Sequence, residues 1–383
     1  MIKTIEIEGF KSLEKVRLEL GGLNLFIGAN ASGKSNFFDA LRVLQGIGYG
    51  FTVDEIFNGK PQGAGRVVWQ GIRGGIARVA FLRRGASSVA VMKFKVQIDS
   101  PNRPNLLYDA EIAPREGIFH SETVQSGADR ILNRSLYDVN KYDPDRSAFS
   151  VFQWADSKTR GLSETGRLAN ALVDAQWLDP NPLTLRQYAQ AQSAKRLGES
   201  GEDFAAIVAG LLENDDRRSS YLSWLRQLTP LEFDEALVLK GALGEPLFAL
   251  REGEEILPAP ILSDGTLRFA AITAAFFQPD MPAIITLEEI ENGIHPSRLR
   301  LLIELLKSQT RGTDLQVFAT THSPVVLAWL DEEDYKTTFL CRRDAESGAS
   351  IITPLSEIPH LIELVRKQPI GELFTEGWLE GAF

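Results

Sequence analysis

The chain has 383 residues, 44% hydrophobic and 24% charged, enough to bury one large core or two modest ones. Lys and Arg number 41 against 51 Asp and Glu, a net charge of −10, which speaks against a surface coated for non-specific DNA binding but leaves room for a local basic stripe. The single cysteine, Cys341, excludes an internal disulfide framework and a cysteine-rich metal site. No apolar run reaches the roughly 20 residues a bilayer requires, so a cytoplasmic location without membrane contact is expected.

In chain order, residues 1–8 alternate like a strand and lack the apolar region of a signal peptide. Strands are predicted over 4–10, 15–20 and 23–27. The last of these runs into Gly28-Ala29-Asn30-Ala31-Ser32-Gly33-Lys34-Ser35, a match to G-x-x-x-x-G-K-[ST], after which Phe37, Ala40, Leu41 and Leu44 recur at helical spacing. Strand, glycine loop and helix are the context this motif requires. Gly28 and Gly33 let the backbone curl so that successive N–H groups converge on a phosphate, and the helix start adds its positive dipole end. Lys34 is expected to reach the β- and γ-phosphates of a nucleoside triphosphate, and the Ser35 hydroxyl to hold Mg²⁺.

Further strands are predicted over 66–69, 77–82 and 88–98, completing an N-terminal part, 1–115. Residues 116–228 read as a mainly helical insertion, with helices over 167–177, 185–194, 203–212 and 221–228 and a break at 214–218. They show no sustained heptads. Strands return at 235–240 and 247–251, opening a C-terminal part, 229–383.

That part is dense in motifs. Leu262-Ser263-Asp264-Gly265-Thr266 opens an apolar helix, with Ser263 or Asp264 as its cap. A helix start with a free hydroxyl is also an anion site. Residues 282–289 form an apolar strand tipped by Glu288 and Glu289, the second carboxylate-bearing strand a phosphate loop needs: Glu288 for the metal, Glu289 for the attacking water. Residues 316–324 form another apolar strand with His322 just past its end, where an imidazole reaches a phosphate or a water.

Taken in order, these segments resemble the ABC class of P-loop ATPases, more narrowly the SMC/RecF/OLD-type heads and the stand-alone AAA/ABC-like ATPases related to them. Residues 7–13 look like that group's first strand. Gly28 to Asn36 matches its Walker A, including Asn30, Ala31 and Ser32. Residues 262–268 are similar to its signature, 287–296 to Walker B running into the D-loop, and 320–324 to its histidine switch. The resemblance implies an α/β head, with a mixed central sheet, flanking helices, an antiparallel β lobe and the insertion. It implies ATP and Mg²⁺ as cofactors and a head-to-tail homodimer, in which Ser263 and the Gly265 N–H of one copy seal the triphosphate held by another. Lys34, Glu289 and His322 are then the catalytic groups. Glu288 stands where this class mostly has Asp, Ile290 replaces a usual proline, and Asp264 and Thr266 replace the transporter-type Gly and Gln.

Such heads act as ATP-driven switches in DNA maintenance or anti-phage defence, with DNA and a separate effector protein as candidate partners. The energy subunit of a transporter is disfavoured by the long separation of Ser35 from Ser263, and a nuclease by the roughly sixty residues left after His322. Intact Lys34, Ser35, Glu289 and His322 speak against a decayed binding module. Gln70 is a weak glutamine-loop candidate by spacing. Arg66, Arg73, Arg78, Arg83 and Arg84 could form a basic face, although solvated surface is the default, and Asp331 to Asp334 and Asp143-Pro144-Asp145 read as turns. His120, His295 and His360 lie apart from Cys341, so no zinc site is expected.

Overall fold

Alternation of buried and exposed side chains makes Ile2–Phe10 (β1) and Leu13–Glu19 (β2) one antiparallel ribbon, with Ile5 opposite Leu18 and Ile7 opposite Val16. This is a computed structural model; it describes residues 1–63, 66–82, 91–99, 103–135, 143–152, 161, 163–190, 193–228 and 233–378. The chain divides into two compact units, one comprising Met1–Ala175 with Glu332–Glu363, the other Gln176–Asp331 with Leu364–Glu376.

In the first unit, β1 also pairs with Met92–Ile98 (β6), and the sheet continues through Leu106–Ala113 (β7), Ile118–Ser126 (β8) and Asp129–Ser135 (β9), all antiparallel, in the order β2-β1-β6-β7-β8-β9. Residues 116–228 therefore do not begin as helix: their first two strands extend the lobe. Glu122 on β8 is wholly buried, and its carboxylate is met by Arg134 Nη1 at 2.7 Å and the Tyr108 hydroxyl at 2.8 Å. Its partners make an interior charge tolerable there.

Leu23–Ile27 (β3) is buried over its last four residues. It pairs in parallel with Thr338–Arg343 (β16), which pairs antiparallel with Ser350–Pro354 (β17). The helix after it, α1 (Lys34–Gly48), packs Phe37 and Phe38 on Phe26, with ring centroids 4.5 and 5.8 Å away. The short α2 (Val53–Asn58) starts with a reciprocal Thr52–Glu55 capping box. Lys60–Gly63 (β4) and Arg66–Trp69 (β5) form a hairpin. The strand expected over 77–82 is instead a 3₁₀ turn, Ile76–Arg78, followed by a bridge from Ala80 to Phe10. The helix expected over 167–177 is α3 (Glu164–Val173). It ends where Asp174 leaves helical angles, and Ala175–Leu178 becomes a strand, β10.

In the second unit, strands lie in the order β10, Ile284–Leu287 (β14), Gln316–Thr321 (β15), the last two parallel and wholly buried. A continuous apolar run is what a strand covered on both faces requires. Glu235–Lys240 (β11), Pro246–Glu252 (β12) and Glu255–Pro258 (β13) form an antiparallel meander. No helix follows over the described part of the expected 185–194, of which 191–192 lie outside the described residues: a single turn, α4 (Pro182–Leu185), ends where it was to begin, and the Ala189 amide donates to Pro246 O on the meander. Next come α5 (Phe204–Leu212) and α6 (Asp215–Leu228). The polar stretch expected to interrupt helix at 214–218 is the start of α6: Asn214 Oδ1 accepts from the Arg217 amide, and Asp215 and Asp216 sit in the first turn. Then follow α7 (Asp264–Ala275), α8 (Pro296–Thr310) and a single turn, α9 (Pro324–Leu327). Among the described residues no helix is long and apolar enough to cross a membrane.

Candidate functional site

The Gly28–Ser35 loop leaves the buried end of β3 and turns into α1 through three residues at positive φ: Gly28 at 156°, Ala31 at 64° and Gly33 at 108°. A Cβ on Gly28 would stand 2.1 Å from Cys341 O, and one on Gly33 would stand 1.9 Å from Ser350 Oγ, so only glycine fits at either position. Lys34 is buried, and its ammonium donates to the Gly28 carbonyl at 2.7 Å and the Ala29 carbonyl at 3.0 Å, across the mouth of the loop. Ser32 is 3% exposed and its hydroxyl is buried with no hydrogen-bond partner among the described residues. Buried polar groups are nearly always paired, so an orphaned hydroxyl in a glycine loop suits an oxygen-rich anion. Ala29, Asn30 and Ala31 are exposed around it.

Behind the loop, Asn36 Nδ2 donates to Ser12 Oγ at 2.6 Å, and Ser350 Oγ to Ser12 Oγ at 2.7 Å, tying the start of α1 to the β1–β2 turn and to β17. The buried Asp39 on α1 binds Lys11 Nζ at 2.5 Å and Arg73 Nε at 3.1 Å, and Arg73 Nη2 donates to Ser35 O at 2.9 Å. Burial pushes the Lys11 ammonium below its ordinary value, against the pull of Asp39. Beside these residues opens a cavity of about 930 Å³ lined by Lys11, Asn36, Arg73, Arg78, Arg115 and Arg343 among others. Of the arginines read as a basic face, Arg73 and Arg78 line it. Arg83, Arg84 and the side chain of Arg66 lie outside the described residues. Gln70 is exposed just past β5.

In the second unit the acid-tipped strand ends as expected, with Glu288 and Glu289 directly after β14. Glu289 adopts φ 50°, its amide donates to Thr320 Oγ1 at 2.8 Å, and its Oε2 accepts from Asn292 Nδ2 at 2.5 Å. His322 Nε2 stands 3.7 Å from Glu289 Oε1, and the His322 amide donates to Glu291 Oε1. Arg268, 6% exposed, reaches from α7 to the chain at the strand's end: Nη2 donates to Glu288 O at 3.1 Å, while Nη1 binds Asp179 Oδ1 at 2.9 Å. Ser263 is the N-cap of α7, accepting from the Thr266 amide at 3.2 Å. A Cβ on Gly265 would meet Gly293 O at 2.2 Å, so the start of α7 lies directly against the turn after Glu291. His295 caps α8 through Nδ1. His120 faces Glu116 and His360 faces Glu363; among the described residues no group of three or more His, Cys, Asp or Glu side chains is placed to hold a metal.

The first unit thus gathers Gly28, Asn30, Ala31, Ser32 and Gly33 on one loop with Lys34, Ser35 and Asn36 in the first turn of α1, and the second gathers Glu288, Glu289 and His322 on adjoining strand ends, with Ser263 and Gly265 at the start of α7. Sequence reasoning assigned nothing to Thr320, Glu291, Asn292 or Arg268, although each lies inside a quoted motif. It had no signal at all for Asp39.

Two family models match the chain: "AAA ATPase domain" over residues 1–61, and "AAA domain, putative AbiEii toxin, Type IV TA system" over residues 174–328. A Helicobacter pylori protein named ATP/GTP phosphatase is 36% identical over 87 residues, 22% of this chain and 23% of that protein. The chromosome partition protein Smc of Desulfitobacterium hafniense is 55% identical over 47 residues, 12% of this chain and 4% of that protein. The matches thus span under a quarter of either relative. Among solved structures, an Smc head bound to the C-terminal winged-helix domain of ScpA superposes with a TM-score of 0.57 at 14% identity, covering 93% of this chain and 98% of that one. An Smc head with an extended coiled coil, bound to the C-terminal domain of ScpA and derived from Pyrococcus furiosus, gives 0.54 at 12% identity, covering 96% and 99%. The mixed α/β architecture with an inserted helical subdomain is the fold of these heads.

Proposed function

We propose that this AAA/ABC-type P-loop ATPase, which resembles SMC and RecF heads, binds ATP on the Gly28–Ser35 loop and hydrolyses it in an ATP-sandwiched homodimer. The observation that carries the reading is the loop itself: three positive-φ residues, a lysine held across its mouth and one orphaned buried hydroxyl, Ser32 Oγ. Its donors fit a triphosphate. Lys34 would exchange its two carbonyl partners for phosphate oxygens, and backbone amides of the loop would hold the remainder. Ser35 and Glu288 would hold Mg²⁺, which when bound neutralises charge on the phosphate oxygens. Glu289 would orient and deprotonate the attacking water, and His322, whose Nε2 stands 3.7 Å from Glu289 Oε1, would help to orient it. The basic cavity beside Asn36 has room for the nucleoside end.

In this reading Ser263 and the Gly265 amide of a second copy close the site. Lys34→Ala should abolish ATP binding, and Ser263→Arg should block hydrolysis while sparing binding. Mixing the two inactive variants creates heterodimers with one intact composite site, so ATPase activity should return; a mixture as inactive as its components sinks the sandwich. The likeness to Smc heads supports a role in DNA maintenance, which ATPase rates with and without double-stranded DNA at stated salt would test. The toxin–antitoxin wording of the matched family favours a second reading, defence through a separate effector protein.

A further inference from the structure

Asp264 is the first residue of α7, between Ser263 and Gly265, and its carboxylate is largely exposed. That position suits a phosphate poorly. A helix N-terminus favours an anion by only about two- to fivefold. A like charge about 4 Å away opposes it by about fivefold in bulk water and by far more at a covered surface. Left alone, Asp264 would cancel what the helix start offers.

The residue that answers it comes from α4. Arg186, the C-cap of that turn, directs Nη2 to Asp264 Oδ1 at 2.5 Å and to Leu262 O at 2.9 Å. Its side chain is 25% exposed. The second contact, to a backbone carbonyl, pins the guanidinium beside the capping serine and distinguishes it from a wandering surface ion pair.

We propose that Arg186 is a positioning residue that neutralises Asp264, so that the start of α7 accepts the triphosphate carried by a second copy of this chain. The proposal rests on the sandwich reading above. The merely structural alternative is a tether between α4 and α7. The two differ in one respect: removing the carboxylate alone should impair the protein as removing the arginine does if the pair is a tether, and should not if Arg186 is a neutraliser.

The experiment measures ATPase rate and ATP-dependent dimer fraction against protein concentration for the wild type, Arg186→Ala, Asp264→Asn and the double variant, each checked for folding by circular dichroism. Arg186→Ala should lower the rate at a fixed sub-saturating concentration by about tenfold, equivalent to about 1.4 kcal/mol. Asp264→Asn and the double variant should both stay at least about threefold above Arg186→Ala, and Arg186→Lys should keep most of the activity. If Arg186→Ala does not fold, Arg186→Gln carries the same expectation, because it keeps a donor and loses the charge. A double variant as impaired as Arg186→Ala, or an Arg186→Ala protein matching the wild type, overturns the proposal while a dimerising wild type leaves the sandwich standing. A wild type that stays monomeric with ATP overturns the sandwich and this inference with it.

Discussion

Thr320 Oγ1 holds the amide of Glu289 at 2.8 Å, fixing a carboxylate residue in a left-handed conformation at the tip of β14. Such a conformation costs roughly 1 kcal/mol or more for a side chain other than glycine, so it persists only when its surroundings enforce it. Thr320→Val keeps the shape and removes the acceptor, leaving the amide without its partner, a loss of about 1–3 kcal/mol. Glu289 should then relax away from His322. ATP turnover is expected to fall about tenfold or more with nucleotide affinity unchanged, and Thr320→Ser should restore it. Steady-state ATPase assays with a separate nucleotide-binding titration check this; unchanged turnover in Thr320→Val removes the positioning role.

Gly265 presents a conflict that magnitudes resolve. Replacing a helical glycine with alanine ordinarily gains about 1 kcal/mol. Here the new methyl would stand 2.2 Å from Gly293 O, a backbone atom that has no rotamer to escape into. Forced shifts of that kind cost about 1–3 kcal/mol. Gly265→Ala should therefore lower the melting temperature and lose ATPase activity, because the turn carrying Glu291 and Asn292 must move. A more stable protein would contradict the close approach.

Asp39 joins Lys11, Arg73 and the first turns of α1. Its carboxylate is 5% exposed and the Lys11 side chain 9%. Removing one partner of a buried pair leaves the other charge unpaired, at about 3–5 kcal/mol. Asp39→Ala should destabilise by that order in denaturant titration. Because burial already lowers the Lys11 pKa, the variant should recover part of the loss as pH rises toward the lysine range, where Lys11 goes neutral in the fold before it does in the unfolded chain. A loss below about 1 kcal/mol would mean solvent reaches Lys11 freely.

Much of this was legible in the sequence because the signals are local. An apolar run followed by a glycine loop placed β3 to the residue and marked the start of α1; an apolar run ending in acids marked β14, which is shorter at both ends than expected; and a serine and an aspartate before an apolar helix left two candidate caps for α7, of which Ser263 is the cap. The failures have two causes. Over 77–82 the Arg78 amide closes a turn onto Gly75 O, so the chain reaches its bridge to Phe10 only at Ala80; over 185–194 a tertiary hydrogen bond, Ala189 N to Pro246 O, takes the backbone away from a helix. The side chains that tune the candidate site come from far along the chain: Arg186 from 78 residues before Asp264, Arg73 from 34 after Asp39. No spacing rule reports such partners.

Cys341 offers a test of the packing behind the phosphate loop. It lies on β16, parallel to β3, and its carbonyl crowds Gly28. Burial pushes its thiol up to about 12, with Lys34 pulling weakly the other way. In the unfolded chain a thiol ionises near 8.5. The fold therefore keeps a proton that the unfolded chain releases: the contribution is fully present below about pH 8.5 and is lost as pH rises toward 12, at about 1.4 kcal/mol per pH unit. Between pH 8.5 and 10 the wild type should lose about 2 kcal/mol more than Cys341→Ala in parallel denaturant titrations, since the tyrosines and lysines common to both cancel. Iodoacetamide at pH 8.5 should label the thiol only after unfolding. Equal pH slopes, or labelling of the native protein, would show that water reaches the strand against which Gly28 packs, and the loop would lack the rigid floor that a preformed phosphate cradle needs.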